Sequence, residues 1–337
     1  MFLDVIRHNG RVCFAEEEKP LTTFQKGRDR VTNEEKRRII ESYKELEDLN
    51  FPQVLQYQAQ RRPDKIFLVD GPRRFSFKEF NDAVNDVGAA LMKQGLKRGE
   101  PLALLYPNTF EYLLFQFAVM RIGALLIPFN TRYRIHEIEF RLSFSDCRYL
   151  VMVDRYLKAD FTEIVASTMS RLPKLEKVFV KGDRREGMFD AEEILRHKAT
   201  PEERAAVMAD PVKNTTGGTI LFTSGTTAMP KGVVLSHRAR VFTGIRLCER
   251  MLITDEDVIL NFMPLCHELG GFTIVSHCVV SGCTMVLMEM FNAEEALRLL
   301  AKVEPPDNPI VMRHWRLQQV SALMQLGRKD EAQALET

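Results

Sequence analysis

The sequence has no long hydrophobic run and no excess of charge of either sign. No stretch reaches the roughly 18 uncharged apolar residues that a membrane-spanning helix requires. The most apolar candidate, Phe272–Met290, is interrupted by His277 and by the turn signal Ser281–Gly282. The 47 basic and 46 acidic side chains give a formal net charge of +1. This balance gives no electrostatic reason to expect a nucleic acid or an anionic membrane as partner, so we expect a soluble protein that acts on a small molecule.

The cysteines form no CxxC pair and no spacing typical of a metal site. The six positions are Cys13, Cys147, Cys248, Cys266, Cys278 and Cys283. In a chain of 337 residues, such scattered cysteines are typical of reduced, mostly buried thiols in a cytosolic protein. The first residues, MFLDVIRHNGRVCFAEEEK, also lack a basic segment followed by an apolar run, so they do not resemble a signal peptide. We therefore expect a cytoplasmic location.

The chain divides into three segments of different composition. Residues 1–50 are rich in charge and predict an N-terminal helical extension, with an amphipathic helix at Asn33–Glu47. Residues 51–303 alternate strand and helix patterns. The run EPPDNP then breaks the pattern, and residues 304–337 predict a divergent helical tail. The helices expected in that tail are Val311–Leu326 and Lys329–Leu335.

The central segment predicts an α/β fold. The strand candidates are Lys65–Asp70, Pro101–Tyr106, Ala124–Pro128, Tyr149–Val153, Thr219–Phe222, Gly232–Ser236, Asp257–Met263 and Cys283–Met288. The helix candidates run from Ser76 to Gln94, from Asn108 to about Ile122, over Ile135–Phe144 and over His237–Met251. Apolar strands that alternate with helices are typical of a parallel sheet covered on both faces. The polar stretch 200–217 predicts an exposed loop or a joint between subdomains.

The segment ILFTSGTTAMPKGVVLSH, residues 220–237, carries the clearest chemical signal. A strand leads into four hydroxyl side chains around Gly225, and Lys231 follows closely. The hydroxyl residues are Thr223, Ser224, Thr226 and Thr227. Glycine lets backbone N–H groups approach a phosphate, hydroxyls donate to phosphoryl oxygens, and lysine adds a compact positive charge. The loop Thr223–Gly232 therefore predicts a polyphosphate-binding site.

The loop is not a Walker P-loop, although Gly225 and Lys231 have the Walker spacing. Pro230 stands where the second glycine belongs, and Gly232 replaces the Ser or Thr that follows the lysine. A P-loop kinase or ATPase is therefore disfavoured.

The loop resembles the phosphate-loop signature of the adenylate-forming superfamily, which includes acyl- and aryl-CoA synthetases, nonribosomal-peptide adenylation domains and firefly luciferase. That signature is a Thr/Ser-Ser/Thr-Gly-Thr-Thr-Gly-x-Pro-Lys-Gly run, and this chain departs from it at Ala228, where the family usually has glycine. If that position requires a positive φ, the alanine costs roughly 1–2 kcal/mol. The resemblance implies that Thr223, Ser224, Gly225, Thr226, Thr227, Lys231 and Gly232 bind ATP.

Two further segments resemble the same superfamily, in the same order. Residues 121–133, RIGALLIPFNTRY, resemble its Gly-Ala-x-x-x-Pro-x-Asn-x-Arg-Tyr strand and turn, and residues 263–271, MPLCHELGG, resemble its Pro-Leu-Phe-His-x-x-Gly motif. A lone histidine is often a satisfied buried residue. In this motif, however, the histidine lies beside the acyl pocket and the reacting carboxylate. The resemblance therefore makes His267 the candidate catalytic residue and implies that Gly270–Gly271 line the pocket.

The resemblance spans residues 51–303 and implies the layered αβαβα large N-terminal domain of adenylate-forming enzymes. The implied reaction has two steps. A carboxylate attacks the α-phosphate of Mg-ATP to give acyl-adenylate and pyrophosphate, and the thiolate of CoA then displaces AMP. ATP, Mg2+ and CoA are thus the implied cofactors and co-substrates, and the implied partner is a small carboxylic acid.

Several family motifs are not found in the chain. They are Tyr-Gly-x-Thr-Glu, which contacts adenine and magnesium, Tyr-x-Thr-Gly-Asp, which binds ribose, and the C-terminal domain that carries the adenylation lysine. We therefore expect a fold that is incomplete at its C-terminus. Two functions stay open: an acyl-CoA synthetase, and a non-catalytic nucleotide- or acyl-binding remnant or interaction subunit. A complementing chain or a homo-oligomer could supply the missing groups.

Overall fold

The computed structural model describes residues 5–8, 11–14, 32–223, 230–300, 323–324, 326–328 and 331–333. The strands are β1 (Val5–His8), β2 (Arg11–Phe14), β3 (Ile66–Asp70), β4 (Arg73–Ser76), β5 (Pro101–Leu105), β6 (Leu125–Pro128), β7 (Tyr149–Val153), β8 (Arg155–Tyr156), β9 (Ala159–Asp160), β10 (Lys177–Lys181), β11 (Phe189–Asp190), β12 (Gly217–Thr223), β13 (Lys231–Ser236), β14 (Val258–Asn261) and β15 (Thr284–Leu287).

The α-helices are α1 (Asn33–Glu41), α2 (Phe51–Arg61), α3 (Phe77–Lys93), α4 (Phe110–Arg121), α5 (Ile135–Phe144), α6 (Phe161–Ala166), α7 (Ala191–Arg196), α8 (Pro201–Met208), α9 (His237–Met251), α10 (Val275–Ser281) and α11 (Ala293–Leu300). Short 3-10 helices lie at Ser42–Leu46 and Met169–Arg171, and a π-helical turn lies at Glu268–Ile274.

Two sheets organise the central segment. The larger has the strand order β11-β10-β7-β5-β6-β12-β13, and its strands pair in parallel except for the antiparallel pair β12–β13. The smaller has the order β14-β15-β3-β4, and there only β3–β4 is antiparallel. The predicted mixed α/β fold with a parallel sheet is confirmed.

Both faces of the larger sheet are covered, as its apolar strands predict. In β5, Leu102 and Leu104 point into one core cluster, while Ala103 and Leu105 point into another. The first core also takes residues of the smaller sheet and of α4, a helix that is buried along its whole length. The second core lies against α5 and α6. The layers thus alternate between helix and sheet.

The strand predicted at Lys65–Asp70 forms, but it does not lie beside β5. It belongs to the smaller sheet, where Leu68 pairs with Met285 of β15. Because that partner lies more than 200 residues later in the chain, local patterning cannot assign the strand to its sheet.

Two local predictions differ in outcome. The cap at Ser76 is confirmed, since Ser76 Oγ accepts from the Glu79 amide at 3.2 Å and Glu79 Oε2 accepts from the Ser76 amide at 2.8 Å.

The exposed loop expected at 200–217 is wrong, because α8 occupies Pro201–Met208. Thr200 caps α8 with a reciprocal pair of hydrogen bonds to Glu203. A Thr-Pro-Glu-Glu run is a helix-start signal, and the surrounding polar residues obscured it.

The N-terminal and C-terminal segments are described in part. In the N-terminal segment β1 and β2 pair antiparallel, and the helix predicted at Asn33–Glu47 is split into α1 and a 3-10 helix at Ser42–Leu46. The helices predicted at Val311–Leu326 and Lys329–Leu335 lie mostly outside the described residues. The three-segment division therefore stays a prediction.

Among the described helices, none combines the length and the hydropathy that crossing a bilayer requires. The described side chains also contain no group of three or more His, Cys, Asp or Glu placed to hold a metal ion. The cysteines whose side chains are described are all unpaired, and all but Cys266 are buried. The cytoplasmic location stays a prediction.

Candidate functional site

Three sequence landmarks follow the carboxyl ends of strands. The Asn130–Tyr133 turn follows β6, the predicted phosphate loop follows β12, and the loop that carries His267 follows β14. β6 and β12 run parallel in the larger sheet. Because the carboxyl ends of parallel strands meet at one edge of a sheet, ligands of open α/β folds bind there.

The predicted phosphate loop connects β12 and β13, two strands that pair antiparallel. Thr223 pairs directly with Lys231, and Phe222 pairs with Gly232. Directly opposed residues of two strands project their side chains to the same face. The hydroxyl of Thr223 and the ammonium of Lys231, both on exposed residues, therefore share a face at the base of the loop. The predicted ligands Ser224, Gly225, Thr226 and Thr227 lie outside the described residues.

Gly232 permits close packing beneath this hairpin. A Cβ at that position would lie 3.1 Å from Ile220 Cγ2 and 3.8 Å from the ring of Phe222. The backbone there has no positive φ, so the glycine serves packing and not an unusual turn.

His267 begins the π-helical turn Glu268–Ile274 as its N-cap residue and is exposed. Its Nδ1 accepts from the amide of Leu269 at 3.4 Å. In a neutral imidazole only one ring nitrogen carries a proton, so this contact places the proton on Nε2. The outer edge of the ring is thus a hydrogen-bond donor.

Two glycines let the chain fold back on itself beside His267. A Cβ at Gly270 would lie 2.4 Å from the carbonyl oxygen of Pro264, and a Cβ at Gly271 would lie 1.8 Å from that of Leu265. No side chain fits in this space. Both glycines are buried, and the structure shows that they allow close packing of the backbone. That they line an acyl pocket stays a prediction.

Buried polar side chains from α4 and its entry hold this loop. Asn108 Nδ2 donates to the carbonyls of Met263 at 2.8 Å and Met288 at 3.3 Å, and Asn108 Oδ1 accepts from the Leu265 amide at 2.7 Å. The expectation that Asn108 starts α4 is wrong, because Thr109 takes the N-cap position. The side-chain amide of Asn108 instead supplies hydrogen-bond partners to loop backbone groups that would otherwise have none.

Two more residues of α4 extend the same support. Tyr112 Oη donates to the carbonyl of Leu265 at 2.9 Å, and Gln116 Nε2 donates to that of Gly271 at 3.2 Å. Tyr112 and Gln116 are four residues apart and lie on one side of α4, and Asn108 precedes Tyr112 by the same spacing, just before the helix begins. Polar residues at this spacing in an otherwise apolar helix were the signal that the sequence reasoning missed.

Asn261 and Arg240 complete the support from other elements. Asn261 Nδ2 donates to the carbonyl of Gly270 at 3.2 Å. Arg240 Nη1 donates to the carbonyl of Gly271 at 2.7 Å, and its Nη2 donates to Thr219 Oγ1 at 3.1 Å. Burial lowers the pKa of Arg240 to about 9.

The Asn130–Tyr133 turn lies between the two other landmarks, and Arg141 of α5 links it to the β12–β13 hairpin. The guanidinium of Arg141 lies 4.0 Å from the ring centroid of Tyr133 and 5.4 Å from that of Phe222 in β12. On the other side, the thiol of Cys266 lies against the backbone of Thr131, and burial raises the pKa of this thiol to about 11. The structure thus brings together three segments that the sequence singled out separately.

The donors at this edge fit a phosphate better than a metal. Thr223 and Lys231 offer a hydroxyl and a cation, which match phosphoryl oxygens. The described residues contain no cluster of carboxylates that could hold magnesium. The described part of the chain therefore identifies no protein ligand for Mg2+.

Comparison with known proteins identifies the family of the chain. The model of the family described as "AMP-binding enzyme" matches residues 55–331. The putative acyl-CoA synthetase YngI of Bacillus subtilis (strain 168) is 29% identical over 267 residues, which cover 74% of this chain and 48% of YngI. The mitochondrial medium-chain acyl-CoA ligase ACSF2 of Danio rerio is 31% identical over 229 residues, covering 60% of this chain and 37% of ACSF2. The chain spans about half the length, or less, of these curated relatives.

The fold recurs in solved structures. The anthranilate CoA ligase AuaEII, solved in complex with anthranoyl-AMP, superposes with a TM-score of 0.64 at 22% identity. The match covers 76% of this chain and 46% of that one, and at this identity it shows the fold alone. Because the family model covers well over half of the residues, the chain belongs to the AMP-binding enzyme family, as the N-terminal part of an adenylate-forming fold.

Proposed function

We propose that this chain forms the ATP-phosphate and carboxylate side of an acyl-CoA synthetase site, in which a carboxylic acid is converted to an acyl-adenylate before transfer to CoA. The observation that carries the proposal is the position of the Asn130–Tyr133 turn, which is linked to Phe222 of the phosphate-loop hairpin through the guanidinium of Arg141 and lies against Cys266 of the His267 loop. The named relatives are acyl-CoA synthetases and ligases, which supports the same reaction class.

Each described residue at the site has a chemical task in this proposal. Lys231 neutralises charge on the β- and γ-phosphates, which leave together as pyrophosphate, and Thr223 donates a hydrogen bond to them. His267 presents Nε2–H to the carboxylate and so orients it toward the α-phosphate. Positioning and charge neutralisation suffice for such displacements at phosphorus. When magnesium accompanies ATP, it adds further charge neutralisation on the phosphates.

Calorimetric titration with ATP tests the proposal on the full chain. We expect Lys231→Ala to weaken ATP binding roughly tenfold or more, since a charged contact to phosphate is lost. Lys158→Ala is the matched control, because Lys158 is also exposed but lies in the turn between β8 and β9. Inorganic pyrophosphate should compete with ATP. Equal ATP affinity in both variants would refute the assignment of the phosphate site.

A nucleotide-binding subunit without ligase activity is the alternative outcome. Such a protein would bind ATP through Lys231 but would not exchange pyrophosphate into ATP with any acid. The two functions therefore differ in turnover and not in binding.

A further inference from the structure

Arg240 in α9 is a buried cation that makes no ion pair with a carboxylate among the described residues, although the charge of Glu268 acts on it from farther away. It is 2% exposed. Its guanidinium lies 4.4 Å from the ring centroid of Phe272 and 5.3 Å from that of Phe51. Its hydrogen bonds go to one carbonyl oxygen and one hydroxyl, on Gly271 and Thr219.

These two acceptors belong to the two sides of the proposed site. Thr219 lies in β12, four residues before Thr223, and is the residue of β12 that pairs with Leu126 of the larger sheet. Gly271 lies four residues after His267, and its amide donates to the His267 carbonyl at 3.0 Å. One side chain therefore joins the strand that enters the phosphate loop to the turn that begins at His267.

Stability alone does not account for an arginine at this position. Removing a cation from water is costly, and only an opposite charge or several hydrogen bonds offset the cost. An apolar side chain of similar length would fill the same space between the two phenyl rings without that cost. What the guanidinium adds is a rigid, planar fork that holds two acceptors in fixed relative positions.

We propose that Arg240 is a positioning residue that couples the two sides of the site, so that ATP bound at the β12–β13 hairpin stabilises the turn at His267. The inference rests on the proposed function. Coupling between two sites requires a structural element whose arrangement both sites influence. Arg240 is placed to be that element, because it is hydrogen-bonded to Thr219 on the hairpin side and to Gly271 on the His267 side.

Arg121 provides a matched control. It is also buried, and burial lowers its pKa to about 10. Its guanidinium donates to Asn85, Asn81 and the carbonyl of Pro52, which join α4 to α3 and α2. Arg121→Met thus removes a buried arginine from the same core without touching the hairpin or the turn.

Hydrogen–deuterium exchange on the full chain, with and without saturating ATP, tests the coupling. In the wild type and in Arg121→Met, ATP should slow amide exchange about tenfold both in Gly217–Ser236 and in Met263–Phe272. In Arg240→Met the hairpin should keep this protection, while the turn should lose it. Thr219→Val removes one hydroxyl from a strand position that suits valine, and it should have the same effect if Arg240→Met fails to fold.

The outcomes separate this inference from the proposed function. Protection of the hairpin with none at the turn in the wild type would overturn the coupling and leave the ATP site standing. Protection of the turn that persists in Arg240→Met or in Thr219→Val would also overturn it. Protection of neither segment in the wild type would refute the proposed function and the coupling together.

Discussion

Lowering the pH should destabilise the fold through His237, the first residue of α9. The side chain is fully buried, and neither Nδ1 nor Nε2 has a hydrogen-bond partner among the described residues. The ring packs so closely on Gly218 that a Cβ there would lie 3.1 Å from Cε1 and Nε2. Burial, with the charge of Arg240 as a second cause, lowers the pKa of His237 from 6.5 to about 4.

The size of the effect follows from the difference in pKa between the folded and unfolded chains. The unfolded chain binds a proton at His237 near pH 6.5, whereas the folded chain resists protonation until about pH 4. The stabilising contribution is therefore fully present above pH 6.5 and is lost as the pH falls toward 4. At about 1.36 kcal/mol per unit of pKa, the loss amounts to about 2.5 kcal/mol at about pH 4.5.

Urea denaturation across this pH range measures the loss. The free energy of unfolding of the wild type should fall by about 2.5 kcal/mol more than that of His237→Leu between neutral pH and about pH 4.5. Carboxylates titrate in both proteins, so their effect cancels in the difference. His136→Leu removes an exposed histidine and should follow the wild type. Parallel curves for the wild type and His237→Leu would show that the reasoning about the buried ring is wrong.

Further substitutions test the support of the site and of the fold. Asn108→Ala leaves buried loop groups without partners and should lower the free energy of unfolding by about 3 kcal/mol in chemical denaturation. Gly271→Ala should cost more than about 3 kcal/mol, since its Cβ would meet the carbonyl of Leu265, whereas Gly71→Ala, which has open space, should cost only about 1 kcal/mol for its positive φ. Thr200→Ala should lower the melting temperature modestly, because loss of the cap on α8 costs about 1 kcal/mol. Equal effects of the two glycine substitutions would contradict the close packing beside His267.

Much of the fold follows from local pattern. Ile135–Phe144, Tyr149–Val153 and His237–Met251 have the bounds that the sequence predicts. Apolar runs and helix caps depend on residues that are close together in the sequence, so the bounds of these elements can be predicted from the sequence. Sheet membership is not local. Nothing near β3 indicates that its partner is β15 and not β5.

Short elements and small helices were harder to predict. The strands and helices of residues 155–196 contain two to six residues each, too few to show a period. The proline and the acidic residues at the start of α8 have a composition typical of a loop, although they also form a helix-start signal. Composition predicts a loop at this position and the capping residues predict a helix, and the structure has the helix.

The sequence points to the chemical groups of the candidate site, which stay a prediction, but it does not point to the residues that support them. Hydroxyls, glycine and lysine around one turn indicate phosphate chemistry, and the sequence motif singles out His267. Tyr112, Gln116 and Arg240 sit among apolar neighbours and contact backbone carbonyls far along the chain. Only the folded arrangement shows that they hold the His267 turn.

The most direct test of the central claim is ATP–pyrophosphate exchange by the full chain with acetate, octanoate and benzoate. The proposed function predicts exchange that depends on one of these classes of acid, that Lys231→Ala abolishes and that Lys158→Ala retains. A folded sample that binds ATP yet catalyses no exchange with any of the acids would contradict carboxylate activation by this chain.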